Sequence, residues 1–273
     1  MRLFAVALLL IPSLAFAGGQ LSFHSFGGDQ VVGLYHLNEN GGNDTVDATG
    51  NGNTGIQQNG CVWVSGQMGS GIYCSGSGKR VDISTGIPLG FNFSRTDAFY
   101  IVMRFKVYAG GVSGPVVIGK ANLGTNPGWR VLQQVGALND FAWKVTGGGS
   151  SCQWLTGNLT LTSDMNILDG RWHTMIVWWD GTNACTYDTV TRKSGGGGLY
   201  FDGKLPVVTL SGTSIGGDPT NNVAPSIGGS SQASTDFTNG TIDEVAFVRG
   251  VMTMEKAKRI HALFNASVNT DDQ

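Results

Sequence analysis

The sequence predicts an all-β, two-sheet antiparallel sandwich, and three observations predict it. Short runs with period-2 alternation recur along the chain, signals of Gly, Asn, Asp and Pro separate them, and no helical period competes with them before Thr253. Composition agrees, because Gly accounts for 43 of 273 residues and charged residues for only 13%, against about 25% charged in an ordinary globular domain. All-β units of this length commonly form one domain. The expectation is a single domain over residues 31–265, with a lead-in over 18–30 and a tail over 266–273.

Residues 1–17 are expected to be a secretory signal. Met1-Arg2 is a basic start, residues 3–11 are an apolar run, and Ala15-Phe16-Ala17 is a small-x-small cleavage site before Gly18. The run is shorter than the ~20 apolar residues that span a bilayer. No stable membrane insertion is expected, and the protein is placed outside the cell, in the periplasm or at the cell surface. Formal charge is −2, and loss of Arg2 with the signal makes it −3 (−2 − 1). A chain with this balance has no basic stripe, so nucleic acid is not an expected partner. Four cysteines behind a signal imply two disulfides and leave three pairings open. Cys61–Cys74 with Cys152–Cys185 is the expected one.

The first strand is expected over 31–37, followed by a polar loop over 38–59 centred on Asp47-Ala48-Thr49-Gly50-Asn51-Gly52-Asn53. Such residues tolerate left-handed backbone, which suits a wide surface turn or a hard-cation site. Two strands around Trp63 and Tyr73 flank a glycine-rich connection over 66–71 that brings Cys61 near Cys74. The clearest alternation follows: Phe99, Ile101, Met103, Phe105 and Val107 share one face, with Tyr100, Arg104, Lys106 and Tyr108 on the other. Further strands are expected over 114–120, 129–135, 141–145, 153–161 and 173–179. Asp180-Gly181 and Asp202-Gly203 are tight-turn pairs, and residues 182–198 between them read as an excursion from the sheet. The last strands follow Ser226, and Thr253 is placed as the N-cap of a short helix running to Phe264.

Three separated stretches resemble one family, the laminin G-like, concanavalin A-like jelly-roll domains. They are Gly33-Leu34-Tyr35-His36-Leu37-Asn38-Glu39 with the loop from Asp47 to Gly55; Asp169-Gly170-Arg171-Trp172-His173 through Asp180-Gly181 to Leu199-Tyr200-Phe201-Asp202-Gly203-Lys204; and Ile227-Gly228-Gly229 with Asn239-Gly240-Thr241-Ile242-Asp243-Glu244-Val245. The resemblance implies a two-sheet jelly roll with a short C-terminal helix, whose rim loops often hold calcium and bind sugars or protein partners. Carried over residue by residue, it implies Asp47, Asn51, Asn53 and Asp243 as ligands of a structural calcium ion. One departure is that Asn38-Glu39 stands where the family has an acidic pair.

Asp243 stands out from the residues as well. In extended backbone it shares a face with Val245 and Phe247, and a carboxylate there needs a partner. Glu244 is sent to the opposite face, so the pair is not the aligned carboxylate set of a glycan hydrolase. His24, His36, His173 and His261 show no metal-ligand spacing. The expected function is therefore binding without chemistry, of carbohydrate or a cell-surface glycan; the alternative is a structural or adhesive protein–protein module. If Met175, Val177 and Trp179 face inward, Trp178 faces outward as an aromatic platform, and Tyr187, Arg192 and Lys193 of the excursion are the polar groups expected beside it.

Overall fold

The structure, a computed structural model, describes residues 20–75, 78–83, 89–108, 116–121, 127–134, 140–156, 169–191, 193–230 and 239–266. The expected signal and the tail beyond Ala266 lie outside these residues. In chain order the strands are β1 (Gln30–Tyr35), β2 (Asp44–Thr45), β3 (Gly55–Gln58), β4 (Val62–Ser65), β5 (Ser70–Ser75), β6 (Arg80–Ile83), β7 (Ala98–Val107), β8 (Val116–Ala121) and β9 (Gly128–Gln134). They continue with β10 (Asp140–Gly147), β11 (Ser150–Thr156), β12 (His173–Asp180), β13 (Thr186–Asp188), β14 (Lys193–Gly195), β15 (Gly197–Phe201), β16 (Val208–Ser211), β17 (Ser226–Ile227) and β18 (Asn239–Arg249). One helix, α1 (Met254–Ala266), closes the described chain.

These strands form a two-sheet antiparallel sandwich. The first sheet runs β15-β12-β7-β18-β5-β4, with β1 also paired to β18; the second runs β16-β11-β10-β9-β8-β17-β6-β3-β2. β18 organises the first sheet. One of its edges lies along β7, and the other is shared end to end by β5, which pairs with residues 239–242, and β1, which pairs with residues 245–249.

The alternation read from the sequence decides what lies between the sheets. Phe99, Ile101, Met103, Phe105 and Val107 of β7 meet Met175, Val177 and Trp179 of β12 and Trp129, Trp143 and Trp154 of the second sheet in one buried cluster. Phe93 stacks on Phe99 at 4.2 Å between ring centroids, and Phe91 meets Phe247 edge-on at 4.9 Å. Large aromatic side chains each bury roughly 150–250 Å², which explains how a glycine-rich chain closes a core. Two indoles also find hydrogen-bond acceptors, Trp143 donating to the Trp178 carbonyl at 2.9 Å and Trp179 to the Arg95 carbonyl at 2.8 Å.

The outer face of the first sheet carries a second, smaller core. Tyr100, Val102, Ile176, Tyr200, Ala246 and Val248 project there and are covered by Ala257, Ile260 and Phe264 of α1 and by Leu21 and Phe26. Residues 21–29 are thus part of the outer layer. Asp29 accepts from the Tyr100 hydroxyl at 2.8 Å and pairs with Lys256 in the first turn of α1. Thr253 caps that helix, its Oγ1 accepting from the Lys256 amide at 3.2 Å.

Both disulfides pair as expected, Cys61 with Cys74 and Cys152 with Cys185, at Cα separations of 4.6 and 6.0 Å. The second pins the excursion after Asp180 to β11. That excursion folds into a small β13–β14 hairpin of its own, and Gly197 and Gly198 already belong to β15.

One expectation about β18 is overturned. Ile242 pairs with Phe105 and Val245 with Met103, so Asp243 and Glu244 together stand opposite the single residue Arg104. This is a β-bulge, in which one extra residue shifts the alternation. Ile242, Val245 and Phe247 face the inter-sheet core, and Asp243 does not share their face. Nor does Glu244 point opposite to it; both carboxylates leave on the outer side, with Arg104 and His36.

Candidate functional site

The outer face of the first sheet also carries the most ligand-like surface. Among the described residues α1 reaches along that face to Arg104, whose guanidinium lies 5.7 Å from the Phe264 ring centroid. One alternation further along β7 stands Lys106, half-buried. Register places Lys106 beside Thr241 of β18 and Thr241 beside Tyr73 of β5. On the other flank Trp172 precedes β12. The Lys106 ammonium lies 5.0 Å from the Trp172 ring centroid and 5.6 Å from that of Tyr108. Tyr108 meets Tyr73 edge-on at 6.2 Å and is 36% exposed. The Tyr73 hydroxyl donates to Asn239 Oδ1 at 3.0 Å. Trp172, Tyr108 and Tyr73 thus form a partly exposed aromatic platform around one cation.

A charged cradle holds the edge of this platform. Among its bonds, His173 Nδ1 faces Asp202 Oδ2 at 2.6 Å and Nε2 faces Asp169 Oδ1 at 2.9 Å. A carboxylate on each nitrogen favours the protonated ring, in which both nitrogens donate. Burial opposes that charge, but Asp202 and then Asp169 outweigh it and hold the His173 pKa above its ordinary value. Asp169 Oδ1 also accepts the Arg171 amide at 2.8 Å, which shapes the turn that presents Trp172.

Of the residues expected to hold calcium, Asp47, Asn51 and Asn53 come together in one loop and Asp243 does not join them. The Asp47 carboxylate accepts from the amides of Leu34, Thr49 and Asn53, from the Thr49 hydroxyl and from the Asn53 side-chain amide, at 2.7–3.3 Å. Asn51 and Asn53 each donate to the Val32 carbonyl. Asp243 instead accepts from the backbone amides of Gln67 and Met68, both at 2.7 Å, in the β4–β5 turn. A calcium ion needs six to eight oxygen ligands turned toward it. Here Asp47, the one carboxylate of residues 47–53, is surrounded by donors, so the set as arranged does not fit the ion. Among the described residues no group of three or more His, Cys, Asp or Glu is placed to hold a metal. What Asp47 does is bind its loop to the exposed edge of β1.

The surface expected around Trp178 is also divided. Met175, Val177 and Trp179 face inward, and Trp178 lies on the outer face, half-buried, its ring against Gly198. Tyr187 packs against the inter-sheet core, and its hydroxyl donates to the Pro206 carbonyl at 3.4 Å and accepts from the Val208 amide at 3.2 Å. It straps the excursion to β16. Arg192 lies outside the described residues, and Lys193 opens β14.

The bulge on β18 gathers buried charge. Asp243 and Glu244 are both 0% exposed. Burial raises Asp243 to about 6 and Glu244 to about 7, opposed by hydrogen bonds from Met68 and Gln67 in one case and from His36 at 2.9 Å in the other. Arg104, its guanidinium on Gln67 and at 2.6 Å from the Thr174 hydroxyl, is lowered to about 10 by burial. Perturbed carboxyl groups often mark active sites, but these have no access to a substrate. Their position explains them better: the cluster fills the point where β18 changes partner from β5 to β1.

A shallow groove of about 530 Å³ lies nearby, lined by Asn38, Asn40, Val64, Ser65, Gly69 and Ser70. Its best-placed acceptor, Asn38 Oδ1, is spent on the Ser70 amide at 2.8 Å.

Sequence reasoning missed Tyr73 and Trp172 as site residues. Lys106 and Tyr108 were legible as outward-facing; the register that brings the other two rings beside them was not.

The architecture and the sequence profile agree on a class. Residues 82–258 match the family described as the concanavalin A-like lectin/glucanases superfamily, a laminin G type domain. The chain belongs to that family. Among solved structures it is similar to the binding domain of Paraclostridial mosquitocidal protein 1, at 16% identity and a TM-score of 0.62 over 88% of this chain and 52% of that one. It is similar to domain 4 of AbnA, a GH43 extracellular arabinanase from Geobacillus stearothermophilus, solved with arabinotriose, at 14% identity and a TM-score of 0.58 over 85% and 98%. A third is the botulinum neurotoxin serotype D ligand-binding domain with N-acetylneuraminic acid, at 10% identity and a TM-score of 0.58 over 87% and 52%. The chain thus spans about half the length of both toxin domains. No curated protein matches it. At these identities the likeness is one of fold.

Proposed function

We propose that this protein is a secreted, non-catalytic module that recognises carbohydrate on a cell surface or in the surrounding matrix. The observation that carries the reading is the platform of Trp172, Tyr108 and Tyr73, because flat aromatic faces left partly uncovered offer a surface for the apolar face of a sugar ring. Binding domains among the structures of this fold support it. So do two disulfides, which belong to an oxidising compartment. Among the described residues no helix is long and apolar enough to cross a membrane. The reading needs no cation, since the Asp47 loop is held by its own amides.

A glycan array with the wild type and Trp172→Ala tests it, with Trp178→Ala as the comparison surface. Binding lost in Trp172→Ala and kept in Trp178→Ala supports the platform. Binding lost only in Trp178→Ala moves the site to that surface, and no binding to any glycan sinks the reading.

A second reading, a structural or adhesive protein–protein module, is favoured by one observation: β4 is an edge strand with Val62 49% exposed. Concentration-dependent oligomers in size-exclusion chromatography, abolished by Val62→Lys, would establish it.

A further inference from the structure

The platform is built around a cation, and the geometry points to the class of sugar it takes. Resting on the glycan reading above, we propose that Lys106, Trp172, Tyr108 and Arg171 form a site for a carboxylate-bearing sugar. The sugar ring lies against an aromatic face and its carboxylate meets the Lys106 ammonium and the Arg171 guanidinium.

Lys106 carries the argument. Its ammonium is held over two rings, and among the described residues no carboxylate pairs with it. Cation–π contact orients an ammonium without neutralising it, so the charge remains available to an anion. Arg171 sits beside Trp172 with its side chain 84% exposed, and among the described residues its one ion-pair contact is to Asp169 at 4.0 Å. Asp169, the carboxylate that would otherwise repel an acidic ligand, is committed to the His173 ring and the Arg171 amide. The net result is a local positive field on a chain whose formal charge is −2.

Charge and shape together select among ligands. A neutral sugar would use the rings and leave both cations idle. A carboxylate attached to a ring uses both features at once, since charge-assisted hydrogen bonds to an ammonium or guanidinium are roughly twice as strong as neutral ones. Of the other surfaces, the groove at Asn38 and Ser70 is lined by no charged side chain, and Lys120 is buried and bonded to Asn221.

The test is titration of the full chain with 3′-sialyllactose, lactose and the methyl ester of the sialylated sugar, for wild type, Lys106→Gln and Trp172→Ala. The expected result is tighter binding of sialyllactose than of lactose or the ester by about tenfold or more, a preference lost in Lys106→Gln, and loss of all binding in Trp172→Ala. Thermal melting checks that both variants stay folded, and Trp172→Phe should restore part of the affinity. Equal affinity for sialyllactose and lactose, both dependent on Trp172, overturns the acidic class while leaving the glycan reading intact. Binding of poly-glutamate as tight as that of the sugar overturns the sugar class, and no binding of any saccharide overturns both.

Discussion

Glu244→Gln should make this protein more stable at pH 8, although it removes half of a buried ion pair. The Glu244 carboxyl is 0% exposed and its pKa rises from 4.5 to about 7, burial being the largest cause. A folded carboxyl with a raised pKa keeps a proton that the unfolded chain has released, so stability falls as pH rises between the unfolded and folded values. The rise corresponds to about 3 kcal/mol at full ionisation, at 1.36 kcal/mol per pH unit. Asp243 beside it, raised from 3.8 to about 6, slopes the same way. His36 adds to the slope. Its pKa is raised chiefly by the Glu244 hydrogen bond, so the stability it contributes is present below its unfolded value and lost as pH rises through the folded one. Gln keeps the shape and an acceptor for His36 but gives up a charge-assisted bond worth about 1.5–3 kcal/mol. The net expectation is a gain of up to about 1.5 kcal/mol at pH 8, little change near pH 5, and a flatter profile between them. Urea unfolding of wild type and variant at pH 5, 6.5 and 8 measures this. A variant less stable than wild type at pH 8, or one with an unchanged slope, would refute the account of the bulge.

Other perturbations follow from the same geometry. Asp202→Asn removes one of the two carboxylates holding His173, and NMR titration should show the imidazole pKa falling, with a loss of about 1–3 kcal/mol that is largest below pH 6. Asp47→Ala frees five hydrogen-bond donors of the 34–53 region and should cost at least about 2 kcal/mol in chemical denaturation, whereas EDTA should leave the wild-type melt unchanged; a drop of several degrees would restore calcium to the loop. Gly198→Ala would place a Cβ 2.6 Å from the Trp178 ring and should destabilise by about 1–3 kcal/mol, an effect that Gly198→Ala loses in a Trp178→Ala background. Replacing Cys152 and Cys185 by Ser opens a link across 33 residues and should cost about 2–4 kcal/mol, read as a lower urea midpoint and faster proteolysis after Asp180.

The architecture was legible because it rests on local pattern. A strand reading Phe-Tyr-Ile-Val-Met-Arg-Phe-Lys-Val over residues 99–107 declares which residues share the inter-sheet face, though not that α1 makes the opposite face dry as well. Thr253 declares its helix in the same way, since a cap is satisfied within a single turn. The disulfides were half legible: the short hairpin argued for Cys61–Cys74, while Cys152–Cys185 joins β11 to the excursion across 33 residues.

What the sequence could not show are the places where alternation breaks or where distant strands align. A bulge adds one residue to one strand only, so the reversal at Asp243-Glu244 exists relative to Arg104, 139 positions away (243 − 104). The partners of Asp243 likewise come from the β4–β5 turn, because β18 changes neighbour at that point. The aromatic platform joins residues 73, 106, 108 and 172 through strand register, which a one-residue slip would destroy. By itself, then, the sequence determined the sandwich, the residues that face between its sheets and the helix end, all products of short-range periodicity. Only the tertiary structure decided which carboxylates meet donors and which rings meet a cation, because strand pairing is settled by the burial of the whole sandwich.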